Sequence, residues 1–192
     1  MIAVPSSTTA ALKEWASVIA ALSDGRQLVL IRKGGLIEPG SGFELVSPSF
    51  VFYPTFEHQT VNYVRPEFQS SFERLLADRA PKDRVRVSLF GIATASAQVT
   101  DPAIVGKLSP FHIYNDAFLS QRLKWQPEMP LVIAVIRAYR LPAADLPVAA
   151  RYAGCKSWVE LESSVPLAGL QPVLDEPAFQ DRARAIAALL SS

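Results

Sequence analysis

The period of the apolar positions changes several times along the chain, and each change marks an element. Leu12, Trp15, Ala16, Ile19 and Leu22 recur at the spacing of one helical face. Ser7, Thr8 or Thr9 can cap that helix. Asp24-Gly25 stops it, because glycine takes the left-handed conformation that closes many helices. QLVLIR at 27–32 is short and aliphatic and predicts a strand, broken by Gly34-Gly35. Residues 36–47 contain Gly40 and Gly42 and read as a loop. SFVFYPTF then predicts a strand ending near Pro54, since proline has no N–H for a ladder.

Pro66 suits a first helical turn, with Phe68, Phe72, Leu75 and Leu76 as the buried stripe. Arg84 to Val99, rich in Val, Leu, Ile and Thr, predicts one long strand or two joined at a bulge by Gly91. Asp101-Pro102 opens a short helical turn, and a further helix over 115–124 turns Phe118, Leu119 and Leu123 inward, ending at Pro127 and Pro130. MPLVIAVIRAYRL is the clearest strand, apolar until Arg137, Tyr139 and Arg140 at its far end. Pro142 to Ala150 reads as a connection, with 142–153 the one plausible hinge. Cys155 to Leu161 predicts an edge strand. A last helix begins near Asp175 and buries Phe179, Ala183, Ile186 and Leu190. The order implies one compact α+β domain over 1–192, with a central mixed or antiparallel sheet flanked by about four helices.

Composition narrows the class. Of 192 residues, 49% are hydrophobic and 19% charged, enough for a sizeable core and too apolar for disorder. The net charge is +1, spread evenly over the two halves, which excludes charged tails but leaves room for a local basic patch. No apolar run reaches the length of a membrane span, and Lys13 and Glu14 interrupt the first hydrophobic segment, making it a poor signal peptide. The expectation is a cytoplasmic protein that meets no membrane.

Chemistry-bearing residues fall at element ends. LIRKGG places Arg32 and Lys33 before two glycines, where backbone N–H groups and two cations can meet an anion; the Gly-Lys-Ser/Thr of a phosphate loop is missing. The same tract has the look of a Nudix opening strand, but the clustered glutamates of that metal box are absent. In YPTFEHQ, His58 is a candidate general base, with Glu57 poorly placed to orient it on a continuing strand; the competing reading is a hydrogen-bonded loop corner. FHIYNDAFLSQRLKW carries His112, a second candidate base, together with Asn115, Arg122 and Trp125. These three suit an anionic or planar ligand, with Trp125 as a stacking platform, and equally suit a helix cap and a half-buried tryptophan. Lys156 adds a cation beside Cys155, itself read as structural rather than nucleophilic. Spacing supports no metal site, no serine-hydrolase elbow and no two-carboxylate nuclease, and no cofactor is implied.

Taken together, ALKEWA (11–16), LIRKGGLIE (30–38), YPTFEHQ (53–59), the tract from His112 to Trp125 with PLVIAVIRAYRL after it, and CKSWVEL (155–161) resemble a bacterial family catalogued as domain of unknown function 1802. The resemblance implies that these strings share one domain, and it assigns no activity to any residue. Three readings stay open. A binding module would hold nucleic acid, a nucleotide or a related anion through Arg32, Lys33, Asn115, Arg122, Trp125 and Lys156. A small hydrolase or transferase would use His58 or His112 as base on an anionic substrate. A structural subunit would dock a partner.

Overall fold

A computed structural model describes residues 4–33, 47–77, 81, 83–154 and 156–191. The elements in chain order are β1 (Ser7–Trp15), α1 (Ala16–Ser23), β2 (Val29–Arg32), β3 (Ser49–Thr55), α2 (Pro66–Ala77), β4 (Arg84–Val99) and α3 (Pro102–Lys107). They continue with α4 (Asp116–Lys124), β5 (Leu131–Pro147), β6 (Trp158–Pro166), β7 (Gln171–Pro172) and α5 (Glu176–Leu190). The fold is α+β, a mixed seven-stranded sheet in the order β2-β5-β4-β3-β1-β6 with β7 added to β5. Among the described residues only the β1–β3 pair is parallel. Among the described residues no helix is long and apolar enough to cross a membrane.

The first predicted helix is half strand. Ser7–Trp15 is extended and the helix begins at Ala16. Residues 11–15 are buried on both faces of the sheet, so the period-two alternation of a half-exposed strand never appears there. Leu12 and Trp15 then fall by coincidence onto the helical spacing of Ile19 and Leu22. Trp15 is nonetheless buried, 8% exposed, as are Ile19, Phe179 and Ile186. The stop at Gly25 holds, with φ at 69°.

Two further expectations change. Pro142 to Pro147 is not a connection but the last six residues of β5, with Ala144–Pro147 paired to Arg84–Val87 of β4. Arg137 and Arg140 therefore sit mid-strand, with Arg137 ion-paired to Glu176 on α5 at 3.2 Å. The register shifts in β4 lie at Val87/Leu89 and Ala93/Ala95, on either side of Gly91 rather than at it. Gly91 is required for another reason. A Cβ there would lie 2.7 Å from the Phe52 ring and 3.2 Å from Ile136. Gly91→Ala should cost about 1–3 kcal/mol by overpacking, read from the urea midpoint; an unchanged midpoint would mean that Phe52 has room to yield.

The sheet divides the core in two. Leu12, Phe50, Phe52, Leu89 and Ile133 face the helices, while Ala11, Val51, Val87, Phe90 and Val159 form a second cluster on the other face. Residues next to one another in sequence thus serve opposite cores, as strand alternation demands. Strand β2 opens the order and β6 closes it, yet Arg32 of β2 donates to the Lys13 carbonyl of β1 at 3.1 Å and to Ser157 Oγ, just before β6, at 2.9 Å. The sheet curls until its two ends meet, and one guanidinium bridges the seam.

Candidate functional site

The seam is built from four pieces of backbone. β1 delivers Glu14, 5% exposed, and β2 delivers Arg32, whose Nη1 meets the Glu14 carboxylate at 2.7 Å. Lys33 follows and is itself buried; its Nζ donates to the carbonyls of Arg122 and Leu123, both at 3.1 Å. Those carbonyls belong to the last turn of α4, the negative end of the helix dipole, a favourable place for a cation. Arg122 lies with its guanidinium 5.1 Å from the Phe118 ring centre, and Phe118 stacks on Tyr114 at 4.0 Å. Behind the seam Lys13 donates to the carbonyls of Tyr152 at 2.6 Å and Gly154 at 2.9 Å. It thereby ties β1 to the turn that carries the exposed Lys156.

The charges share one neighbourhood. Burial raises the Tyr114 hydroxyl pKa well above its usual 10.0, and the Glu14 carboxylate raises it further. Arg32 and Arg122 oppose that shift. Arg32, Lys33 and Arg122 are three cations, and among the described residues Glu14 is the one carboxylate ion-paired to any of them. One buried donor here, Arg122 Nε, has no acceptor among the described residues. Leaving a buried N–H unpaired costs about 1–3 kcal/mol.

The structure thus brings together Arg32, Lys33 and Arg122, with Lys156 one residue from the Ser157 that Arg32 holds. Trp125 directly follows α4 and is 49% exposed. Asn115 sits at the opposite end of that helix, where its Oδ1 accepts from Phe118 N–H at 3.1 Å and its amide donates to the Asn62 carbonyl at 2.8 Å. It is an N-cap.

The two histidines differ in setting. His58 is exposed, in a turn just beyond β3, with φ at 60°. His112 has no exposed surface. Its Nδ1 accepts from Tyr114 N–H at 3.2 Å, so the neutral ring carries its proton on Nε2, which meets no acceptor among the described residues. Burial first, and the nearby Arg65 second, lower its pKa to about 4. The described residues contain no group of three metal-ligating side chains. Cys155 lies outside the described residues, as do residues 36–46 of the loop read over 36–47.

Sequence reading missed Glu14 and Lys13, and with them the partner that fixes Arg32. Both lay inside what read as an exposed helical face, and only their place on a doubly buried strand gives them meaning. A small open groove between α1 and α2, with Ala20, Val64, Phe68 and Phe72 along it, contains none of the residues singled out in the sequence as site candidates.

No curated protein matches the chain. Solved structures that resemble it are forms of ZmASCH from Zymomonas mobilis. The unsubstituted protein aligns with a TM-score of 0.43 at 11% identity, covering 92% of this chain and 93% of that one. A point mutant aligns with a TM-score of 0.44 at 11% identity, covering 95% and 99%. The family model for Domain of unknown function (DUF1802) matches residues 11–185, through every element from β1 to α5, and the chain belongs to that family.

Proposed function

We propose that this domain binds a phosphate-bearing ligand, a nucleic acid or a nucleotide, where the two ends of its sheet meet. The observation that carries the reading is the imbalance at the seam: Arg32, Lys33 and Arg122 against the single ion-paired carboxylate of Glu14. Gathering cations in a half-buried place is costly unless an anion joins them. The unpaired Nε of Arg122 adds a buried donor without an acceptor among the described residues at the same place. A net charge of only +1 argues against tight non-specific binding to duplex DNA, so the attraction is local rather than global.

The test is titration of the full chain against a labelled oligonucleotide and against a nucleoside diphosphate, at several salt concentrations. Arg122→Ala should weaken binding about tenfold, the worth of one charge-assisted hydrogen bond, while leaving the far-UV circular dichroism unchanged. Affinity should fall with salt, with a logarithmic slope of about 0.7 per phosphate neutralised on a single strand. Binding indifferent both to salt and to Arg122→Ala would overturn the assignment.

A further inference from the structure

We propose that Trp125 is a base-stacking platform beside the cationic seam, which makes the preferred ligand a single-stranded nucleic acid rather than a duplex or an isolated phosphate group. The proposal rests on the reading of the seam as a phosphate site and adds the part of the ligand that the seam leaves unaddressed. Tryptophan carries one of the largest apolar surfaces of any side chain, and this one is 49% exposed. Among the described residues only Val4, Leu76, Met129 and Val148 are comparable exposed large hydrophobics, and Met129 lies four residues away. Two of these five, Trp125 and Met129, thus lie within five residues of one another just after the helix that carries Arg122.

The backbone under the ring is fixed. Trp125 N–H donates to the Gln121 carbonyl at 3.0 Å, closing α4, and Met129 N–H donates to the Gln126 carbonyl at 2.9 Å. Gln126 takes a left-handed conformation, φ 48°, which turns the chain sharply after the tryptophan. With the backbone already ordered, covering the ring with a planar group has only the side chain left to fix. The charges stem from the same helix turn. Lys33 grips the carbonyls of Arg122 and Leu123, and exposed Lys124 is the immediate neighbour. An exposed indole within three residues of Arg122 and Lys124 suits a chain that alternates planar bases with phosphates. Bases in a duplex have both faces covered and cannot offer one to the indole.

The experiment compares wild type, Trp125→Phe, Trp125→Ala and Arg122→Ala against three probes: a labelled single strand, its duplex, and inorganic pyrophosphate. For the single strand, Trp125→Ala should bind roughly 5- to 150-fold more weakly, and Trp125→Phe should recover most of that loss. Pyrophosphate affinity should not change in either Trp125 variant. The duplex should bind more weakly than the single strand. If Arg122→Ala weakens strand and pyrophosphate alike while Trp125→Ala weakens neither, the seam reading survives and the stacking platform is overturned. A duplex bound as tightly as the single strand overturns the platform too. If Arg122→Ala changes neither probe, the phosphate site itself falls, and the platform with it.

Discussion

Glu14→Ala should destabilise the fold by about 3 kcal/mol, the low end of the cost of removing one partner from a buried ion pair. Glu14 is all but enclosed: its side chain is 6% exposed and that of Arg32 is 19%. One carboxylate oxygen takes the Arg32 guanidinium at 2.7 Å and the other accepts from Trp15 N–H at 2.8 Å. Among the described residues, truncation leaves Arg32 with the Lys13 carbonyl and Ser157 Oγ for its charge. The low end applies because Arg32 keeps some access to water. With a urea slope of roughly 2 kcal/mol per molar, the midpoint should drop by about 1.5 M. Pairing Glu14→Ala with Arg32→Met should restore much of the loss, since no charge is then stranded. By contrast Asp145→Asn, which breaks the exposed pair with Arg86, should barely move the midpoint. A single Glu14→Ala variant as stable as wild type would show that Arg32 finds solvent freely and that the seam is not closed.

That dependence on Glu14 explains what was legible in the sequence and what was not. Elements whose signal is local were readable: the Asp175 cap and Pro177 of α5, the Asn115 cap of α4, and the aliphatic run of β5. Side-chain oxygens at 175 and 115 do accept from the N–H three residues on, as the residue types demand. Elements whose conformation is set by distant partners were not. Ser7–Trp15 is a strand because β3 and β6 flank it, and Pro142–Pro147 is a strand because Arg84–Val87 lies alongside. Neither partner is near in sequence, and prolines at 142 and 147 argue locally for a connection. The same division holds at the candidate site. Arg32, Lys33 and Arg122 stood out as cations interrupting apolar patterns, and they do converge. Their convergence depends on the sheet curling end to end, a property of the whole strand order that no local spacing encodes.

His112 should make the fold acid-sensitive in a window set by its own titration. The imidazole has an ordinary pKa near 6.5 in the unfolded chain and about 4 in the folded one, lowered by burial and then by the Arg65 charge. Protonating Nδ1 would break the bond from Tyr114 N–H and place a second cation beside the Arg65 guanidinium, whose Nη2 holds the His112 carbonyl at 2.7 Å. Between those two pKa values the unfolded state binds the proton and the folded state does not. Stability therefore rises with pH across that window and falls on acidification. The full contribution is present above about pH 6.5 and is lost progressively down to about pH 4, below which this group adds no further loss. The span corresponds to about 3 kcal/mol. Carboxylates also titrate at the acid end, so the measurement is a difference: urea midpoints of wild type and His112→Asn at about pH 7, 5.5 and 4. Asparagine offers an oxygen to Tyr114 N–H but takes up no proton. The advantage of wild type over the variant should shrink steadily as pH falls. A difference constant across that range would mean that the ring reaches solvent or an acceptor when protonated, and is not sealed against Arg65.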